Sequence, residues 1–183
     1  MEPDHRIEFS SAGKTLHWLI ALLVLVELAL GQWMSEAEGR ELRRSLLGFH
    51  QSNGLLIGAL VVIRLAWRWL AEFPEWPTSV TPQQRRLLYS IEAILYLGIL
   101  AMPLVGLSYA MLGDLTISFF GWFEIPNPLG ASDLWYERLE VVHELGAKLL
   151  LATILGHAGL VLYLNRTSSP GFLARMLPSV RRS

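Results

Sequence analysis

The chain has 183 residues, of which 52% are hydrophobic and 17% charged, and its mean hydropathy is +0.40. That apolar content exceeds what an ordinary soluble domain carries and suits one small membrane bundle over residues 1–183. A net charge of −1 gives no bulk electrostatic case for nucleic acid, and the lack of cysteine removes disulfides, thiolate metal sites, iron–sulfur clusters and covalently attached haem c, which leaves histidine as the metal ligand to look for.

The first apolar run begins near Lys14, is too long for a signal-peptide core and lacks a small-residue cleavage site, so it reads as a retained membrane span. Crossing a bilayer takes about 20 apolar residues in a helix. Residues 14–34 qualify and hold His17 and Glu27, with Gly13 just before them. Residues 46–70 form a second span with His50, Gly54, Arg64 and Arg68, preceded by Arg40, Arg43 and Arg44. A connector with three prolines, "EFPEWPTSVTPQQRR", leads to a third span, residues 87–112, which holds Glu92 and Pro103. A long aromatic loop, "GDLTISFFGWFEIPNPLGASDLWYER", reads as a segment lying on the membrane surface. The fourth span, residues 139–164, is nearly all apolar yet carries His143, Glu144, Lys148 and His157. In lipid the backbone must satisfy its own hydrogen bonds, so all four spans are predicted helices.

Lys and Arg are unevenly divided between the two sides. Arg6, Lys14, Arg64, Arg68, Arg85, Arg86, Arg166, Arg175, Arg181 and Arg182 fall on the side of the termini, and Arg40, Arg43, Arg44 and Arg138 on the other. The excess predicts that both termini face the cytoplasm. Trp18, Trp33, Trp67, Trp69 and Trp122 fall near span ends, where interfacial aromatics belong.

His5 lies outside the spans and receives no role. The other four histidines sort by depth. His17 and His157 fall near the cytoplasmic side, His50 and His143 near the opposite side. His143 and His157 are 14 residues apart, about 21 Å along one helix and roughly 40° short of four full turns, so one helix face serves both levels. A single histidine in a span is more often a hydrogen-bonded packing residue. Four of them, paired by depth on three helices, fit two b-type haems, each gripped by one imidazole on either side of the iron. Zinc wants three or four close ligands, and each level offers two. Gly13, Gly54 and Gly146 lie three or four residues from a histidine on the same helix face, where a missing side chain leaves room for a flat macrocycle. Haem propionates need cationic partners: Arg64 and Arg68 are candidates on the cytoplasmic side, and Arg40, Arg43 and Arg44 on the other. Glu27 and Lys148 are ionisable groups at depth, so they are candidates for proton carriage or for lining a quinone or substrate cavity, with ion pairing or snorkelling as the plainer alternative for Lys148.

"LHWLIALLVL", "HQSNGLLIGALVVIRLAWRW", "YLGILAMPLVGL", "SFFGWFEIP", "VHELGAKLLLATILGH" and "LARMLP", in this order and spacing, resemble the bacterial cytochrome b561 family. The resemblance covers almost the whole chain. It implies an all-α transmembrane four-helix bundle in the bacterial inner membrane, binding two haems b through His17, His50, His143 and His157. Glu92, Gln51 and Lys148 depart from the family's pattern. The implied activity is electron transfer between the ubiquinone or menaquinone pool and the periplasmic side, either as a self-contained superoxide:quinone oxidoreductase or as a cytochrome subunit for a separate dehydrogenase or periplasmic electron-transfer protein. A haem-binding scaffold or sensor without turnover stands as the alternative from another class.

Overall fold

The computed structural model describes residues 8–71 and 73–177. His5, Arg6, Arg181 and Arg182 lie outside the described residues. Four helices follow one another: α1 Ser11–Glu36, α2 Arg40–Leu70, α3 Pro82–Leu112 and α4 Asp133–Thr167. Each contains one expected span and extends beyond it, and all four are long and apolar enough to cross a membrane. The protein is an all-α transmembrane four-helix bundle. In this up-and-down order one end of the bundle carries the termini and the α2–α3 connector. The other carries the α1–α2 turn and the α3–α4 loop.

Local chemistry sets the helix limits. Ser10 caps α1, its hydroxyl accepting from the Gly13 N–H at 3.2 Å. A capping box starts α3: the Thr81 hydroxyl accepts from the Gln84 N–H while the Gln84 side chain accepts from the Thr81 N–H, with Pro82 at the first helical position. Pro103 lies inside α3 and removes one rung of its hydrogen-bond ladder. Its ring turns toward α2, where a Cβ at Gly58 would lie 3.5 Å from the Pro103 Cγ.

The long loop does more than lie on a surface. It forms a hairpin of β1 (Ile117–Phe119) and β2 (Phe123–Ile125), paired antiparallel with Phe119 opposite Phe123. Phe120 and Gly121 turn the chain at φ 50° and 74°, and the Trp122 N–H donates to the Phe119 carbonyl at 2.9 Å. Ser52 of α2 fastens the hairpin to the bundle. Its Oγ accepts from the Phe120 N–H at 2.9 Å and lies 3.0 Å from the Ser118 carbonyl oxygen. At the opposite end a short 3-10 helix, Leu173–Arg175, folds back on the start of the chain. There the Phe9 N–H donates to the Arg175 carbonyl, the Trp18 indole to the Met176 carbonyl, and the Arg175 guanidinium to the Glu75 carbonyl.

Three apolar layers stack along the bundle. Val80, Leu88, Leu164 and Phe172 close the terminal end. Ile20, Val24, Ile57, Val61 and Leu150 fill the middle. Ala110, Met111 and Ile117 seal the hairpin end. Large apolar side chains such as Leu22, Val62, Leu97, Leu104, Leu149 and Leu155 remain exposed on the outer faces, as lipid-facing residues must be. Along their backbones α1 packs closely on α2, α3 on α4, and α2 on α3. Helix α4 has no comparable packing against α1 or α2, so the bundle is held open along the seams that face α4.

Ser52→Ala leaves the Phe120 N–H without its acceptor, a loss of about 1–3 kcal/mol. Hydrogen exchange is expected to accelerate across residues 117–125 and to stay unchanged in the middle of the four helices.

Candidate functional site

The seams facing α4 are where the histidines meet. His17 of α1 faces His157 of α4 with ring centroids 6.4 Å apart and planes inclined at 59°. His50 of α2 faces His143 of α4 at 5.9 Å and 77°. The histidines expected at one depth therefore lie close together at each level. Leu150 lies midway between the two α4 histidines, on the same helix face, and belongs to the middle apolar layer that separates the levels.

At each level two imidazoles confront one another across a gap that admits a metal atom with metal–nitrogen bonds of about 2 Å on either side. Among the described residues no group of three or more His, Asp or Glu side chains could hold a bare metal ion. The Nδ1 atoms of His50, His143 and His157 are buried and have no hydrogen-bond partner among the described residues. The His50 Nδ1 is turned toward Glu27 and the His17 Nδ1 toward Arg64, so Nε2 is the ring nitrogen that these two would offer a metal. A donor set of two imidazoles per level on helices held apart fits axial ligation of a haem iron.

Glycines admit the ligand rings. A Cβ at Gly106 of α3 would come within 3.0 Å of the His143 Cε1, and one at Gly31 of α1 within 3.6 Å of the His50 Cε1. Neither stands out in the sequence as a site residue, although Gly106 closes the Pro-x-x-Gly of the third span. The glycines expected to make room for a macrocycle have other neighbours. A Cβ at Gly13 would meet the Ser10 Oγ at 3.2 Å, one at Gly54 the Glu27 Oε1 at 2.9 Å, and one at Gly146 the Met102 Sδ at 2.6 Å.

The charged candidates divide. Arg64 reaches inward, donating to the Gly13 carbonyl at 2.7 Å and to the Tyr96 hydroxyl at 2.9 Å, with one guanidinium nitrogen 3.4 Å from the His17 Nδ1. Arg68 pairs with Glu92 at 3.3 Å and covers the Phe73 ring. Arg40, Arg43 and Arg44 are exposed at the start of α2. Glu27 is drawn to the other level: its Oε1 lies 3.2 Å from the His50 Nδ1, and its Oε2 accepts from the Asn53 amide at 2.8 Å. Lys148 is 70% exposed and pairs with Glu144 at 2.6 Å, one turn away on the same helix and outside the bundle. Tyr109 is a further neighbour that sequence reasoning missed. Its ring stacks on Tyr136 at 4.6 Å and lies nearly parallel to His143 at 6.4 Å.

The sequence pattern of the prokaryotic cytochrome b561 family matches residues 8–179. The chain belongs to that family. Among characterised relatives, cytochrome b561 homolog 2 of Escherichia coli (strain K12) is 34% identical over 116 residues, 62% of this chain and 61% of that protein. Cytochrome b561 homolog 1 of the same organism is 24% identical over 173 residues, 93% of this chain and 97% of that protein. The alignment with homolog 2 thus spans less than two thirds of that protein. Family membership implies a b-type haem in a multi-pass membrane cytochrome and an electron-transfer role.

With no cysteine to form a thioether, all haem in the purified protein is expected to leave in acidified organic solvent and to give a b-type pyridine haemochrome. Haem retained on the denatured chain would contradict this.

Proposed function

We propose that the protein is a di-haem b cytochrome carrying electrons across the bacterial inner membrane, from a donor on the periplasmic side to membrane quinone. The observation that carries this reading is the pair of facing histidines at each of two levels. His17 and His157 would hold one haem, His50 and His143 the other. A haem held between two imidazoles would supply reversible one-electron exchange.

The chain's own residues do the rest. The four imidazoles would hold the haems at two depths, with His143 and His157 about 21 Å apart along α4. The layer of Ile20, Val24, Ile57, Val61 and Leu150 keeps water out of the space between. Arg64, already anchored to Gly13 and Tyr96, is placed to meet a propionate at the terminal end, with Arg68 behind it. The Lys and Arg bias puts that end in the cytoplasm, so the hairpin end faces outward. Arg40, Arg43 and Arg44, clustered and exposed at the start of α2, would be the local contact for an anionic donor such as superoxide at an end where acidic side chains outnumber basic ones. Two superoxide anions give up one electron each and become dioxygen. One quinone takes the two electrons and two protons and becomes quinol.

Purified protein is expected to contain two haems b per chain, both low-spin. His50→Ala and His143→Ala should each lose the same haem, His17→Ala and His157→Ala the other; retention of both haems in the first two variants would refute the pairing. Superoxide with quinone should reduce the haems and form quinol without any added protein. Haem reduction that requires a dehydrogenase or a periplasmic protein would make the chain that partner's cytochrome subunit. No reduction by superoxide, quinol or partner would leave a haem-binding scaffold.

A further inference from the structure

The nearest charged side chain differs between the two histidine pairs: Glu27 lies beside His50 and Arg64 beside His17, while Glu92, paired with Arg68, also acts on His157. Glu27 sits on a span yet turns from lipid into the α1–α2 interface. The Asn53 amide holds it, donating to its Oε2 at 2.8 Å and to the Leu23 carbonyl at 3.1 Å. Its other oxygen, Oε1, lies 3.2 Å from the His50 Nδ1, off line for a hydrogen bond in the present ring orientation. The second torsion of histidine is soft, so a small rotation brings the Nδ1–H onto the carboxylate. Two absent side chains make this approach possible. A Cβ at Gly54 would lie 2.9 Å from the same Oε1, and Gly31, one turn beyond Glu27, leaves room for the edge of the His50 ring. Among the described residues no other histidine has a carboxylate within ion-pair distance. His17 has the reverse: the Arg64 guanidinium, a permanent cation, 3.4 Å from its ring.

We propose that Glu27 and Arg64 are positioning residues that bias the two histidine pairs in opposite directions, so that an electron runs downhill from the hairpin end to the terminal end. The inference rests on the two-haem reading above and adds a direction to it. A carboxylate accepting from the distal nitrogen of a ligand imidazole makes that imidazole a stronger donor. It favours the oxidised iron and lowers the potential at His50 and His143. A guanidinium beside His17 favours the reduced, less positive iron and raises the potential at His17 and His157. In the step itself one electron would pass from the group held by His50 and His143 to the group held by His17 and His157. No bond forms or breaks.

The test is a spectroelectrochemical titration of the full-length holoprotein in lipid nanodiscs, with low-temperature electron paramagnetic resonance of both oxidised haems. In the wild type the component lost in His50→Ala should be the one of lower potential. Glu27→Gln should shift that component upward and leave the other in place. Glu27→Leu should shift it further and change its low-spin resonance. Gly54→Ala, which displaces the carboxylate without altering it, should move the same component in the same direction and stands in if Glu27→Leu does not accumulate. Arg64→Gln should lower only the component lost in His17→Ala. If the Glu27 variants keep two haems and both potentials stay put, or both move together, Glu27 has no such role and the two-haem reading survives. A higher potential for the component lost in His50→Ala would overturn the downhill direction and likewise spare the two-haem reading. If His50→Ala keeps both haems, the reading beneath the proposal falls instead.

Discussion

The hydrocarbon of the bilayer offers no hydrogen bonds, and that constraint arranges this molecule. Every polar group on a span must find a partner inside the bundle, pair on its own helix, or bind something. Asn53 holds Glu27, Arg64 reaches Gly13 and Tyr96, and Thr153 bonds back to the Leu149 carbonyl of its own helix. Lys148, turned outward, takes Glu144 with it. After these assignments the buried side-chain atoms still without a hydrogen bond among the described residues are the Gln51 amide nitrogen and the Nδ1 atoms of His50, His143 and His157. The four span histidines stand in pairs on helices that do not close on one another, an arrangement that makes little sense for packing alone and good sense for gripping a metal from two sides.

Much of this was legible in the sequence because it depends on one helix at a time. Span existence follows from apolar length. The two levels follow from 14 residues on one helix, and the pairing from depth. What the sequence withheld depends on how neighbouring helices are rotated against each other. Glu27 is visible as a charge at depth, but nothing in "LVLVELALG" says that it points at His50 rather than at lipid. That is decided by the contact of α1 with α2, through Gly54 and Asn53. The same holds for Gly106, whose use becomes apparent only when α4 brings His143 against it. On sequence spacing Gly54 and Gly146 offer room for a macrocycle. In the structure Glu27 and Met102 face them, since a gap left by glycine is filled by whichever neighbour reaches it first. Depth alone makes Lys148 a functional candidate, yet it faces away from both histidine pairs. The hairpin reads as a surface segment because three-residue strands leave almost no periodic signal. Ser52, which fastens it, is an ordinary helix residue until Ser118 and Phe120 arrive beside it.

The two levels also differ in how they meet the outside. The hairpin end presents Tyr109 and Tyr136 stacked near His143 and a loop fastened by Ser52, with Phe120, Trp122 and Phe123 exposed at the turn. The terminal end is bound up by the returning C-terminal segment, with Trp18 and Phe9 tied to Met176 and Arg175. Family membership supplies the haem and the membrane; these local differences are where a particular donor and acceptor would be distinguished.

The middle layer has a consequence of its own. From Trp18 to Val26, from Leu55 to Ile63 and from Leu97 to Val105 no side chain is ionisable, and on α4 the polar exceptions are Lys148 outside and Thr153 tied to its own backbone. Tunnelling electrons can cross such a slab; protons, which need a relay of hydrogen-bonding groups, cannot. Each crossing therefore separates charge like current through a capacitor. Moving a full charge through the whole field costs about 2.3 kcal/mol per 100 mV, and an inward electron runs against an inside-negative voltage. With the inward direction proposed above, the rate of electron delivery should then fall as the cell becomes more energised, a brake supplied by nothing more elaborate than a few aliphatic side chains.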